Sequence, residues 1–230
     1  MKIIFHGHSC FEIRTGENTL IVDPFLLGNP KADITPDQVT VDTILLTHGH
    51  NDHASDALSI ALKNDAMIIA PYELAMFMQR RGAKVHSMAI GASREFSFGR
   101  LKLTQAVHGS AFFDDEGEPT YTGNPCGFLL YIEGKTVYIS GDTGLFGDME
   151  SVIGRFNEID LAILPIGDNF GMGPDDAIIA AAWLGAKYVI PCHYNTFDVI
   201  AQDGNLFAGK LENETKATAI TLEPGEAFEF

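Results

Sequence analysis

Short apolar runs that alternate with helical patterns constrain the fold of this 230-residue chain more than any other feature. Runs this short and this uniformly apolar are typical of strands that are covered on both faces. They occupy residues 43–47, 66–70, 136–140, 161–165 and 188–191. An alternating strand is predicted at 100–107, and antiparallel strands near the amino terminus at 2–5, 11–14 and 19–22. The pattern predicts a layered α/β fold.

Four helices are predicted between these strands, at residues 55–63, 72–81, 148–156 and from 174 to near 185. The second ends at Gly82, which accepts the left-handed conformation that terminates helices. The fourth begins at Pro174, and carboxylates in its first turn suit the helix dipole. No repeat or linker divides the sequence. We therefore predict a single domain over residues 1–230.

Composition excludes several classes of partner. The chain has 46% hydrophobic and 20% charged residues and a formal net charge of −16, so it can form a core but repels polyanions and anionic membranes. We expect neither long nucleic acid nor a membrane as partner. Its three cysteines form no C-x-x-C pair, which suits a reducing compartment, and no apolar run approaches the length of a membrane span. We expect a cytoplasmic protein.

Four ligand-type side chains follow the apolar run 43–47 within six residues, in the segment His48-Gly49-His50-Asn51-Asp52-His53. Residues two apart in an extended segment project to the same side, so His48 and His50 can bind one ion. Asp52 and His53, where the chain turns towards a helix, can bind a second. Imidazole and carboxylate ligands suit Zn²⁺ or Mn²⁺. A solvated polar loop is the less specific alternative.

This segment resembles the signature of the metallo-β-lactamase superfamily, and four further residues match other parts of that pattern. They are Asp23, His108, Asp142 and His193. Two other segments, 7–11 and 165–170, are closest to a branch of small, largely uncharacterised metal-dependent hydrolases related to ascorbate-6-phosphate lactonase. The resemblance implies a four-layer αββα sandwich, with two mixed β-sheets flanked by helices.

The resemblance also implies a centre of two divalent metal ions, with zinc as the first choice and manganese as the alternative. One ion would be bound by His48, His50 and His108, and the other by Asp52, His53 and His193. Asp142 would bridge them. Two ions, two aspartates and one hydroxide leave a local charge of about +1 if the histidines are neutral, which favours a small anionic substrate.

Two more residues have predicted roles near this centre. Asp23 is predicted to hold the second ring nitrogen of a ligating histidine, although Asp23-Pro24 is also an ordinary turn signal. His8, in a tight turn, is predicted to contact substrate or assist proton transfer. Asp52 is predicted to accept a proton in addition to binding metal. His6 is expected to pack, and His86 to lie on a strand or at the surface.

The function predicted from these residues is metal-dependent hydrolysis, in which a bridging hydroxide on a dinuclear site cleaves a small ester, lactone or phosphodiester. A non-catalytic metal-binding scaffold is one alternative. A flavodiiron-like oxidoreductase is another, disfavoured because those proteins have a glutamate in the place of His50 and an added flavin domain. Residues 114–123 are predicted to form either a lid or a solvated hairpin tip, and a homo-oligomer is expected.

Overall fold

The computed structural model describes residues 1–230 and contains sixteen strands and five α-helices. The strands of the first half are β1 (Lys2–Phe5), β2 (Phe11–Thr15), β3 (Asn18–Val22), β4 (Thr43–Leu45), β5 (Met67–Pro71), β6 (Lys84–Met88), β7 (Ser93–Phe96) and β8 (Gly99–Gln105). Those of the second half are β9 (Ala111–Phe113), β10 (Pro119–Tyr121), β11 (Cys126–Ile132), β12 (Lys135–Ile139), β13 (Leu161–Pro165), β14 (Tyr188–Cys192), β15 (Thr218–Ala219) and β16 (Ala227–Glu229).

The helices lie between strands, as the sequence pattern predicts. They are α1 (Asn51–Ala54), α2 (Ala57–Asn64), α3 (Tyr72–Gln79), α4 (Pro174–Leu184) and α5 (Gly204–Glu214). Two short 3₁₀ segments, Pro36–Gln38 and Asp198–Ile200, and a π-helical segment, Met149–Gly154, complete the set. No helix has both the length and the apolar composition needed to traverse a lipid bilayer.

Two seven-stranded mixed sheets form the centre of the molecule. In the first sheet the order is β16-β1-β2-β3-β4-β5-β6, and in the second it is β15-β14-β13-β12-β11-β8-β7. β1, β2 and β3 are antiparallel, whereas β3 to β6 run parallel. In the second sheet β12 to β15 run parallel, so the carboxyl ends of β12, β13 and β14 meet at one edge. β9 and β10 form a separate antiparallel hairpin.

Three apolar clusters separate four layers. The central cluster of 22 buried residues lies between the sheets and includes Phe11 from the first sheet and Phe128 from the second. One cluster of 19 residues packs α2 and α3 against the first sheet, and another of 19 packs α4 and α5 against the second. Residues on alternate faces of a strand can serve two clusters, which explains the nearly continuous apolar runs. The predicted αββα sandwich is confirmed.

The predicted helices are present, but some details differ and several elements were not predicted. The helix expected at 55–63 is α2, which begins two residues later, at Ala57. The preceding Asp56 carboxylate does not cap α2, because it accepts hydrogen bonds from the backbone of Leu26 (2.7 Å) and Leu27 (2.9 Å). The segment 148–156 is helical as predicted, with π-helical geometry over Met149–Gly154. Elements that were not predicted are α1, α5, β6, β7, β9, β10, β11, β15 and β16.

Candidate metal centre

The predicted ligands follow strands of both sheets and meet where the two sheets face each other. His48 to His53 follow β4 of the first sheet. His108, Asp142 and His193 follow β8, β12 and β14 of the second sheet. The structure therefore brings together all seven residues that the sequence assigns to metal binding.

Three histidines form one ligand group, which we call the trihistidine group: His48, His50 and His108. His48 Nε2 lies 3.0 Å from His50 Nδ1, and His108 Nε2 lies 3.2 Å from the same atom. Ligands that bind one tetrahedral zinc ion at 2.0–2.1 Å lie about 3.3 Å apart. The convergence of three imidazole nitrogens at these distances matches one face of such a site.

The second ligand group, the mixed group, consists of His8, Asp52, His53 and His193, whose ligand atoms all lie within 4.8 Å of one another. His193 Nε2 is 3.8 Å from Asp52 Oδ2, and His8 Nε2 is 3.2 Å from the same oxygen. The sequence analysis assigned the other three to metal binding but not His8. A nitrogen of His8 thus lies within reach of this ligand group.

Asp142 lies between the two groups. Its Oδ2 is 2.9 Å from His193 Nε2 and 3.3 Å from His53 Nε2, both in the mixed group. The same oxygen is 3.7 Å from His108 Nε2 of the trihistidine group. One carboxylate oxygen that faces both groups is the arrangement that a shared ligand requires.

Three buried polar atoms at this centre make no hydrogen bond of acceptable geometry: His53 Nε2, His193 Nε2 and Asp142 Oδ1. The two nitrogens lie near Asp142 Oδ2, at 3.3 Å and 2.9 Å, but are not well aligned with it. An unpartnered buried polar atom costs about 1–3 kcal/mol, so such atoms are rare and demand an explanation. Three of them in a single cluster of imidazole and carboxylate ligands fit a cation-binding site. The donor set of nitrogen and oxygen without sulfur fits zinc or manganese.

Burial and neighbouring charges shift the pKa values of the trihistidine group and of His53 and His193 in opposite directions. Burial lowers the pKa of His48, His50 and His108, which favours neutral imidazoles. In the mixed group burial opposes protonation, but the carboxylate of Asp142 outweighs it and raises the pKa of His193 to about 9. The same carboxylate raises the pKa of His53. Without metal, the shifts favour protonated His53 and His193 and a neutral His8.

Asp23 holds His53 from behind, as predicted. Its Oδ2 lies 3.0 Å from His53 Nδ1, which leaves His53 Nε2 directed at the centre. The Asp23 carboxylate also accepts hydrogen bonds from the Thr47 backbone N–H (2.8 Å) and the Thr47 hydroxyl (2.6 Å). Because its oxygens already have partners, Asp23 orients a ligand and is not itself available as one.

The structure places His8 beside the centre. Its side chain is buried, but it also borders a neighbouring cavity, and its predicted contact with substrate stays a prediction. Nδ1 lies 2.9 Å from the Thr196 hydroxyl, and Nε2 lies 3.2 Å from Asp52 Oδ2. Burial lowers the pKa of His8 to about 4, so the neutral ring is the form that faces Asp52. The geometry fits a residue that positions Asp52.

Left-handed backbone conformations mark the strand ends that carry this centre. His8, Asp23 and His193 have φ values of 57°, 45° and 53°. Each costs about 1–2 kcal/mol for a residue with a side chain. The His193 N–H donates a 2.8 Å hydrogen bond to the carbonyl of His8, which joins the turn after β1 to the turn after β14. Backbone strain therefore occurs at the turns that position the candidate ligands.

Gly49, Ser110 and Thr122 were missed by the sequence analysis. A Cβ on Gly49 would lie 2.2 Å from the Thr122 hydroxyl oxygen, so only glycine fits between His48 and His50. The Gly49 N–H donates to the Ser110 hydroxyl at 3.1 Å, and the two hydroxyls lie 2.7 Å apart. The sequence signal for the close approach of Thr122 to the backbone is the glycine between two metal-type histidines.

Residues outside the centre have the following places. Residues 114–123 include the turn of the β9–β10 hairpin and its second strand, in agreement with the hairpin alternative. Cys192 is buried and free. His6 is buried and contacts Asp33 (2.8 Å) and Glu12 (3.6 Å), and His86 lies on β6 beside Phe96.

Comparison with known proteins agrees with this geometry. A family model described as "Beta-lactamase superfamily domain" matches residues 2–193. The chain belongs to this superfamily. Within it, the chain belongs to the UPF0173 metal-dependent hydrolase family. A member from Bacillus cereus strain B4264 is 53% identical over 229 residues, covering 99% of both chains, and one from Anoxybacillus flavithermus is 52% identical, covering 100% of both.

A solved structure shares the fold over the whole chain. Igni18, described as a novel metallo hydrolase from the archaeon Ignicoccus hospitalis, superposes with a TM-score of 0.89 at 32% identity. The match covers 100% of this chain and 98% of Igni18. The predicted family resemblance is therefore confirmed.

Proposed function

We propose that this protein is a hydrolase that uses two divalent metal ions, zinc or manganese, to cleave a small ester, lactone or phosphodiester. One observation supports the proposal: the two ligand groups face the same Asp142 oxygen, and three buried polar atoms there make no hydrogen bond of acceptable geometry. When bound, two such ions supply a hydroxide nucleophile near neutral pH and polarise the oxygen of the bond that is cleaved.

The two aspartates of the centre have different surroundings. Asp142 has 4% of its side chain exposed and lies between the ligand groups, which suits a purely structural charge that holds both ions. Asp52 has 33% of its side chain exposed, so solvent and substrate can reach it. We propose that Asp52 accepts the proton released during the reaction, with His8 holding its other face.

Metal analysis and a substrate screen test this proposal together. The purified protein is expected to contain about two equivalents of zinc or manganese and to hydrolyse at least one of three substrate types. These are bis-(p-nitrophenyl) phosphate, p-nitrophenyl esters and homoserine or sugar lactones. Complete chelation is expected to abolish turnover, and added metal to restore it.

Two results would contradict the proposal. Undiminished turnover after complete metal removal would exclude a metal-dependent mechanism. Full metal occupancy without turnover of any of the three substrate types would favour the alternative of a metal-binding scaffold. His50 supports hydrolysis over flavodiiron-like redox chemistry, because its Nδ1 lies in the trihistidine group where the resemblance would require a glutamate.

We further propose a cytoplasmic location and a small-molecule substrate as the partner. All three cysteines are free and buried, which suits a reducing compartment. Fractionation of cells that produce the untagged protein tests the location, and recovery in the membrane pellet would contradict it.

A further inference from the structure

An apolar cleft of ≈ 560 Å³ opens directly beside the metal centre. Its floor includes His50 of the trihistidine group and Asp52 of the mixed group. Its walls contain four apolar side chains that define the cleft: Phe25, Leu27, Phe113 and Phe197. Pockets for small molecules have this composition, with a few polar groups among apolar walls.

The apolar walls are exposed to solvent. Leu27 is 72% exposed, Phe113 is 44% exposed and Phe197 is 41% exposed. Large apolar side chains clustered around a polar centre cost hydration free energy unless something covers them, and such patches mark binding sites. These side chains and the polar residues His50 and Asp52 line the same cleft.

Contacts with the metal centre hold the walls in place. Phe25 and Phe197 meet the ring of His8 edge-on, with centroid distances of 5.7 Å and 5.8 Å. The side-chain amide of Asn51 donates to the Phe113 carbonyl at 2.8 Å and accepts from the Phe113 N–H at 2.9 Å. Asn51 lies between the ligands His50 and Asp52, so the hairpin wall is tied to the metal-binding segment. Because these side chains are already held in place, less binding free energy is lost in ordering them when a ligand binds.

The cleft has a polar end and an apolar end. His50 and Asp52 are its ionisable side chains, and both belong to the metal centre. A polar or anionic group of a ligand can therefore bind at the metal centre, whereas the remainder of the ligand contacts apolar side chains.

We propose that the substrate carries an apolar acyl or aryl group, which packs among Phe25, Leu27, Phe113 and Phe197 while the bond to be cleaved lies at His50 and Asp52. The reaction type rests on the proposed function. What this adds is the substrate class, a compound with a polar head and an apolar acyl or aryl group. The substrate expected from the charge of the centre, a small anion, is therefore expected to be amphipathic.

A larger cavity of ≈ 880 Å³ is the competing place for the tail. It is bordered by Gly7 and His8 and is lined by polar and charged side chains such as Lys31, Asp203 and Glu223. None of the seven assigned metal ligands lines it. Leu206 lines this cavity and is 71% exposed, close to the 72% of Leu27, so the two leucines form a matched pair.

Calorimetric titration of the zinc-loaded protein with straight-chain carboxylates tests the proposal without requiring turnover. The probes are acetate, butyrate, hexanoate and octanoate. We expect affinity to rise about twofold to fourfold per methylene, because the hydrophobic free energy of burying one methylene corresponds to at most about a fourfold change in affinity. The Leu27→Ala/Phe197→Ala double variant is expected to lose most of this dependence on chain length.

Leu206→Ala and Phe156→Ala are the controls, since Phe156 is 73% exposed and lies outside the cleft. Both are expected to keep the full chain-length dependence, and all variants to keep the zinc content of the parent protein.

Three outcomes would overturn the proposal. Affinity could be constant from acetate to octanoate, or the double variant could retain the full dependence, or Leu206→Ala could abolish it. Sedimentation of the same samples tests whether a second copy of the chain fills the cleft instead. If the parent protein is a dimer that dissociates in the double variant, and carboxylate affinity is unchanged, the cleft is a subunit contact. Tight octanoate binding without ester hydrolysis would contradict the proposed function and leave the cleft assignment intact.

Discussion

The trihistidine group and the mixed group differ in both charge and exposure. In the first, burial lowers the pKa values of three imidazoles, and His50 and His108 are partly exposed. In the second, His53 and His193 are buried, Asp142 raises their pKa values, and Asp23 and His8 support the ligands from behind. Neutral nitrogens at a partly open edge can bind a metal ion without losing protons, whereas the buried imidazoles of His53 and His193 must first release theirs.

Asp142→Ala is expected to have the largest effect, because Asp142 is the residue that faces both groups. Loss of its carboxylate removes the negative charge between the ions, and turnover of the best substrate in the screen should fall at least about 100-fold to 1000-fold. Metal content should fall below two equivalents. Asp37→Ala is a suitable control, since the Asp37 side chain is 95% exposed and remote from the centre. Unchanged metal content in Asp142→Ala would eliminate the shared-ligand assignment.

The pH dependence of zinc binding separates the groups next. His53 and His193 have raised pKa values, so both are protonated at pH 6–7 in the metal-free protein and must lose their protons when zinc binds. Two displaced protons make affinity rise about 100-fold per pH unit in this range. The rise should level off as pH passes the His193 pKa of about 9.

Zinc binding to the trihistidine group should vary little over the same range, because its imidazoles are already neutral. Titration calorimetry in two buffers of different ionisation enthalpy counts the protons released at each step. Equal proton release at both steps would remove the distinction between the groups.

Asp23→Asn sharpens the comparison at the level of one ligand. The amide removes the charge that faces His53 Nδ1 at 3.0 Å. Zinc affinity of the mixed group should fall about 10-fold to 100-fold, as for other outer partners of ligating histidines. The trihistidine group should keep its affinity, which competition with a chromophoric chelator measures. A matched loss at both groups would indicate general disruption of the fold.

His8→Ala is expected to have the smallest effect, about tenfold on zinc affinity of the mixed group, because His8 acts through Asp52. The decisive measurement is a double-mutant cycle with Asp52→Ala. If His8 only positions Asp52, its removal adds nothing once Asp52 is gone. Additive losses would instead identify His8 as a metal ligand in its own right, which its Nε2 position also permits.

The sequence predicted the centre better than the outer parts of the fold. The segment 48–53 is visible in sequence because metal binding requires particular side chains at particular spacings. Asp23, His108, Asp142 and His193 were identified instead through the family resemblance, because spacing alone does not single them out. By contrast, the enclosure of His8 depends on Phe25, Phe197 and Thr196, which come together only in the folded chain.

Missed strands show the limits of periodicity. β16 pairs with β1 from the opposite end of the chain, and β15 has only two residues. Such elements depend on tertiary pairing and not on local pattern. Helix α5 has a mixed surface with two buried side chains, Phe207 and Leu211, which gives a weak apolar stripe. Asp203 caps it by accepting from the backbone of Asn205 and Leu206, a signal that was present in the sequence.

The hydrogen bond between His193 and His8 joins the first sheet to the second, and the ligand set spans the same boundary. Pulling the halves apart would therefore strip ions from the protein, and chelators would in turn loosen the two halves. On the proposed function, the thermal stability of the protein rises with the supply of its metal. A cell short of that metal would then lose this protein by degradation as well as by inactivity.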